Sequence, residues 1–235
     1  LIPYAPTCSI NPVIGNELRW KEEYRPAARS RRVLVVGGGL AGCEAARVAR
    51  LRGHQVTLLE QGRRLGGQLL LAARAPGRDS FEDQIYFEEN TLSRLGVEVR
   101  LETGADLATI KRLAPEVVVV ATGSTPRTPD DVQGIDAPQV VQGWEVLGGN
   151  VPAGQRVAII SQEDYYETPC VAEYLASRGR QVEVFHKSPH LGWEVARYSL
   201  GMVLNRMEQC DVKVHPNLIL ERIDGDALEF VSAHG

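Results

Sequence analysis

The sequence predicts an α/β protein made of two parallel-sheet domains, and three observations carry that reading. Arg32 to Gly67 runs as a buried strand, a glycine turn, an alanine-rich helix, a second strand and an acid at its end. From Arg156 the order begins again. RVAII matches RVLVV, VAEYLASRGRQVEVFHK matches AARVARLRGHQVTLLEQ, and both helices end in Arg-Gly before the next strand. Between the repeats, Val117 to Val120 is an unbroken apolar run of the kind that central parallel strands show, being buried on both faces. Two Rossmann-like domains of the dinucleotide-binding type follow, the second inserted into the first. A single large doubly wound sheet fits less well, because a glycine-rich connector restarts the pattern.

Taken in order, residues 1–30 are rich in Pro and charge and show neither helical nor strand period, so an extended linker arm is expected. The first strand, Val33 to Val36, leads into G-x-G-x-x-G at Gly37, Gly39 and Gly42. The first glycine allows the tight turn, the second lets backbone approach a pyrophosphate, and the third lets helix and strand pack closely. The helix that begins near Leu40 and Ala41 offers free N–H groups and a partial positive charge to phosphates. Glu60, at the end of the strand Gln55 to Leu59, stands where a carboxylate accepts ribose hydroxyls. Gly66 and Gly67 then form a second glycine pair that a plain dinucleotide turn does not need. Gln61, Arg64 and Gln68 flank it, Ala105 lies after the third strand, and Ala121, Thr122 and Gly123 close the apolar run. These positions make up the expected FAD or ADP site.

Apolar residues at helical spacing through Phe81, Ile85 and Leu92 predict a helix ending before Gly96. A short strand (VEVRLE), a helix (ADLATIKRL) and the valine strand come next. The first domain is placed at 31–128 and the second at 129–235, with a connector from Pro129 to Gly154. A helix from about Val195 to Gln209 and strands near Val212–Val214, Leu218–Ile223 and Ala227–Val231 complete the chain.

At 235 residues with 43% apolar and 24% charged side chains, the composition is that of an ordinary globular protein. The net charge of −4 argues against nucleic acid and anionic membranes as partners. No apolar run reaches the roughly 18 residues of a membrane span. Four cysteines without a C-x-x-C fit a reducing, cytoplasmic setting. Cys43, Cys170 and Cys210 read as inert, Cys43 as a small buried hydrophobe. No Ser–His–Asp set or carboxylate pair can be assembled, and no catalytic residue is named.

The glycine turn, the EQGRRLGGQ segment (Glu60 to Gln68) and ATGSTPRTP together resemble flavoproteins with two dinucleotide-binding domains. CSINPVIGNE narrows this. Cys8 followed by Asn11, Pro12, Gly15 and Glu17 is similar to the last cysteine ligand of the 4Fe–4S cluster in the trimethylamine dehydrogenase and 2,4-dienoyl-CoA reductase family. The resemblance implies a larger protein, with an FMN-bearing TIM barrel and the other cluster cysteines lying upstream of Leu1. Read alone, Cys8 would be a free thiol. The first residue (Leu1) and the last (Gly235) both look like the ends of a piece. The implied partners are that barrel, a small-molecule substrate, an electron-transfer protein acceptor and further copies of the same chain in a homo-oligomer.

The second repeat departs from the pattern, because SQEDYYETPCVAE (Ser161 to Glu173) contains no glycine. Tyr165 and Tyr166 would block backbone approach, and Glu163, Asp164 and Glu167 would set negative charge beside a pyrophosphate. Each such pair costs roughly 3 kcal/mol at ~5 Å and an effective dielectric of ~20. The expectation is an oxidoreductase of the amine dehydrogenase or N-demethylase type. The alternatives are an NAD(P)H-dependent dienoyl-CoA or enoate reductase, and a non-catalytic ADP-binding scaffold.

Overall fold

The computed structural model describes residues 8, 10–161 and 163–234, the side chains of 197 and 198 excepted. The chain divides into two compact units. The first comprises the residues through Leu70 together with Ser80–Ser124; the second takes Leu71–Asp79 and everything from Thr125 onward. Leu71–Asp79, which lies inside the span 31–128 expected for the first domain, thus groups with the second unit. Leu71 packs on the second unit's core, and the Arg78 guanidinium lies 4.6 Å over the Tyr166 ring.

The first unit opens with a helix where the arm was expected to be extended, α1 (Glu17–Glu23). None of its residues is buried, so it leaves no apolar stripe in the sequence. It is held at its end instead: the Tyr24 ring packs against Trp20, and its hydroxyl accepts from Arg47 at 2.9 Å. Then come β1 (Arg32–Val36), α2 (Leu40–Leu51), β2 (Gln55–Leu59), α3 (Leu69–Ala72), α4 (Ser80–Leu95), β3 (Glu98–Arg100), α5 (Leu107–Leu113) and β4 (Val117–Val120). Asp106 caps α5 by accepting from the Thr109 N–H at 2.7 Å. The four strands form one parallel sheet in the order β3-β2-β1-β4. Chain order therefore reverses between β1 and β4, and their carboxyl ends flank the crevice where open parallel sheets bind ligands. Val35, Leu58, Cys43, Ala46 and Leu92, all fully buried, close the core between sheet and helices. β4 is an edge strand with Val118 and Val120 exposed, not the central strand buried on both faces that its unbroken valine run suggests, because it pairs with β1 on one side only in this sheet.

The second unit contains α6 (Gly143–Gly148), β5 (Arg156–Ser161), α7 (Glu167–Ala176), β6 (Gln181–His186), α8 (Arg197–Gln209), β7 (Lys213–His215), β8 (Leu218–Asp224) and β9 (Ala227–Ser232). α6 sits inside the expected connector. Its flanking glycines hide it from a propensity reading, yet the Gln142 N–H donates to the Glu145 carboxylate at 2.9 Å, and Gly149 ends it at φ 71°. β5, β6 and β7 are parallel, and β8 and β9 form an antiparallel pair. Arg32 pairs with Gln55, and Arg156 pairs with Gln181, so the internal repeat holds to the residue in three dimensions.

Leu58 is fully buried and Leu107 is 75% exposed. Leu58→Ala should cost about 2–5 kcal/mol of stability, whereas Leu107→Ala should stay within about 0.5 kcal/mol of wild type. Urea unfolding followed by circular dichroism measures both.

Candidate functional site

Each glycine of the first turn has its own reason to lack a side chain. Gly37 has φ +106°, and a Cβ there would fall 2.2 Å from the Ala121 carbonyl oxygen. A Cβ on Gly42 would fall 1.9 Å from the Gly37 carbonyl oxygen and 3.4 Å from the Ala121 methyl. These two seat α2 on the ends of β1 and β4. Gly39 has an ordinary φ of −72°, and a Cβ there would meet nothing within 4 Å. Its neighbourhood is open space beside the start of α2, where Leu40 and Ala41 are exposed and no side chain among the described residues caps the helix. The first-turn N–H groups thus have no intrahelical acceptor, and the helix dipole faces the crevice.

Glu60 braces this turn. One carboxylate oxygen accepts the Gly38 N–H at 2.6 Å and the other accepts the Gly62 N–H at 2.6 Å. A carboxylate has about four acceptor positions, so it can still receive hydroxyls. Gly38 and Gly62 escaped the sequence reading, since the motif leaves both positions unspecified. A Cβ on Gly38 would collide with Leu65 at 2.6 Å and with the Glu60 carboxylate at 2.9 Å.

The second glycine pair lies against the first turn. The Gly66 N–H donates to the Gly38 oxygen at 2.8 Å, and a Cβ on Gly67 would come within 3.0 Å of the Gly39 Cα. Gln68 Nε2 donates to the Ser124 hydroxyl at 3.1 Å and sits 3.4 Å from a Cβ placed on Gly123, so Gln68 and the Ala121–Thr122–Gly123 end of β4 meet. The Thr103 N–H donates to the Glu60 carbonyl at 2.9 Å, which runs the segment ending at half-buried Ala105 beside the acid. Two expected residues are exposed. Arg64 pairs with Glu82 at 3.2 Å and Glu89 at 3.8 Å on α4, and the Gln61 side chain is exposed. Exposed pairs of this kind are worth about 0–1 kcal/mol, so Arg64 is weakly held. Cys43, fully buried under the turn, has its thiol pushed up to about 12 by burial and then by Glu88, Glu60 and Glu89.

At the other end of this unit, the sequence around Cys8 builds a tight turn. The Asn11 side-chain oxygen accepts the Val13 N–H at 3.1 Å, Gly15 adopts φ +74°, and the Gly15 N–H donates to Glu17 at 3.0 Å. The Asn11 N–H thereby points at the Cys8 sulfur, 3.4 Å away. That contact, and then the Ile10 N–H, lowers the pKa of the exposed thiol. Among the described residues no cluster of three or more His, Cys, Asp or Glu side chains could hold a metal ion, so Cys8 has no companion ligand there. No helix among them is long and apolar enough to cross a membrane.

The pyridine nucleotide-disulphide oxidoreductase family matches residues 31–160, more than half of the chain, and the chain belongs to that family of oxidoreductases. N,N-dimethylglycine/sarcosine dehydrogenase of Chromohalobacter salexigens is 38% identical over 205 residues, 84% of this chain and 30% of that protein. NADH oxidase of Thermoanaerobacter brockii is 40% identical over 179 residues, 75% of this chain and 27% of that protein. The solved structure of a 2-naphthoyl-CoA reductase superposes with a TM-score of 0.90 at 33% identity, covering 97% of this chain and 34% of that one. The chain thus spans about a third of the length of these relatives.

Because Gly39 meets open space and Gly42 meets backbone, the two should separate on mutation. Gly39→Val should fold with a melting temperature near that of wild type, whereas Gly42→Val should lose about 3 kcal/mol or more through overpacking. Thermal unfolding of both variants checks this.

Proposed function

We propose that the first unit holds an adenine dinucleotide or nucleotide, FAD or ADP, within an iron–sulfur flavoprotein that oxidises C–N bonds, of the amine dehydrogenase or N-demethylase type. The observation that carries the first part is the open backbone at Gly39, set against the uncapped start of α2 with Glu60 at the neighbouring strand end. In this reading the N–H groups of Leu40, Ala41 and Gly42 receive the pyrophosphate, Glu60 accepts ribose hydroxyls, and Gly67 with Ala121, Thr122 and Gly123 line the nucleotide. Gln61, Arg64, Gln68 and Ala105 border it, Arg64 exchanging its α4 acids for phosphate. Cys8 is the ligand this chain contributes to a 4Fe–4S cluster, and its lowered thiol pKa favours the thiolate that such clusters bind. FMN and the cluster belong to the intact protein, where they supply electron uptake and transfer; the substrate-oxidising barrel and an electron acceptor are partners outside these residues.

A second reading, an NAD(P)H-dependent reductase, is supported by the likeness to NADH oxidase and 2-naphthoyl-CoA reductase. The C–N reading is preferred on the second unit, whose loop Ser161 to Pro169 has no glycine. The expected outcome of an anaerobic titration of the intact enzyme with NADH or NADPH is no rapid flavin bleaching; stoichiometric bleaching by either would establish the reductase.

Two further outcomes are expected. Gly39→Val should reduce retained nucleotide at least tenfold in folded protein, read by releasing and quantifying bound adenine nucleotide; retention at the wild-type level would remove the site assignment. Cys8→Ala in the intact protein should lose bound iron and its visible absorption while the first unit keeps its nucleotide, and unchanged iron content would show that Cys8 is not a ligand.

A further inference from the structure

The two units can be compared position by position, since their first strands pair in the same register. The fifth residue after Gln55 is Glu60, and the fifth after Gln181 is His186. Ser161 likewise stands at the Gly37 position, and Thr168, counted back from the shared Arg-Gly pair, stands at that of Gly42. In the first unit, a side chain on Gly42 would strike the Gly37 carbonyl and one on Gly37 would strike the Ala121 carbonyl, so neither position admits one. In the second, the loop is two residues longer, and the Ser161 and Thr168 hydroxyls hydrogen-bond at 2.9 Å in the same place, both buried.

The added length lets the loop turn back on its own helix. One Glu163 carboxylate oxygen accepts the Thr168 N–H at 2.8 Å, and the other accepts the Tyr165 N–H. Ser161 Oγ donates to the Glu163 carbonyl at 3.0 Å. The next residue, Asp164, reaches His186 Nε2 at 3.1 Å, and its carbonyl accepts the Glu194 N–H at 3.0 Å. His186 is fully buried, with Nδ1 against Ser188. The residue that replaces the ribose-binding acid is therefore buried against the loop.

We infer that Glu163 is a built-in anion: its carboxylate occupies the start of α7 that a pyrophosphate would otherwise take, and so makes it a specificity-determining residue that closes the second unit to NADH and NADPH. The inference rests on the proposed reading that electrons enter from a C–N substrate, and it assigns the refusal of nicotinamides to one side chain. Tethering explains why a carboxylate suffices. A group two to five residues away competes at an effective concentration of order millimolar or higher, and it pays no association entropy.

The test uses the intact enzyme with its first-unit nucleotide bound, inorganic pyrophosphate as probe, and hydrogen exchange of the 163–170 backbone as readout. In wild type, millimolar pyrophosphate should leave exchange unchanged. In Glu163→Ala, exchange at Tyr165 and Thr168 should rise about tenfold or more, and pyrophosphate should restore protection. Glu163→Gln, which keeps the acceptor atom without the charge, should fall between the two, and it stands in if the alanine variant does not fold. An alanine or glutamine variant whose exchange does not respond to pyrophosphate overturns the role of Glu163, even where nicotinamides fail to reduce the enzyme. Wild-type protection that increases with pyrophosphate overturns it as well. Rapid bleaching of wild-type flavin by NADPH with loop exchange unchanged would instead overturn the reading of the electron source, leaving the built-in anion standing.

Discussion

The contact between Gly42 and the Gly37 carbonyl governs the first unit. With 1.9 Å available where a Cβ would sit, α2 lies directly on the turn that ends β1, and Ala121 at the end of β4 closes the third side. That contact aims the helix N-terminus into the crevice between β1 and β4. Everything proposed for the site follows from this aim: open space at Gly39, unsatisfied N–H groups beside it, and Glu60 close enough to tie the turn to β2. A side chain at Gly42 would tilt the helix, and the same N–H groups would face elsewhere.

The second unit has the same strand register and the opposite solution. There the glycine contact is replaced by two hydroxyls, the loop is longer, and the helix start is satisfied from within. β5 has a strand partner on one side only among the described residues, so no reversal of strand order frames a crevice there. Duplication of a nucleotide fold thus leaves the scaffold intact while one helix end stays open and the other is sealed. Burial raises the pKa of Glu167, and Glu163 nearby adds to the shift. The sealed end is a crowded acidic surface.

Much of this was legible in the sequence because it depends on periodicity and glycine. The strands at Gln55–Leu59 and Val117–Val120, the turn at Gly37–Gly42 and the internal repeat all follow from residue order. What escaped detection lacks a stripe or a motif. α1 buries nothing, and α6 is bracketed by glycines that read as loop. Gly38 and Gly62 matter through the reach of the Glu60 side chain, which residue order does not encode. The acids of the second loop were visible as charges, but that Glu163 folds back onto its own helix and Asp164 onto His186 depends on tertiary geometry. That Arg64, expected beside the nucleotide, pairs with acids of α4 is likewise set by tertiary geometry.

The bracing of the turn by Glu60 has a kinetic consequence. In the proposed site, Gly38 and Gly62 are held by its two oxygens, so the shape of the cradle rests on bonds within the protein itself. Little ordering is needed on association, so capture can proceed by simple collision and docking, and residence time is then governed by how fast the ligand escapes.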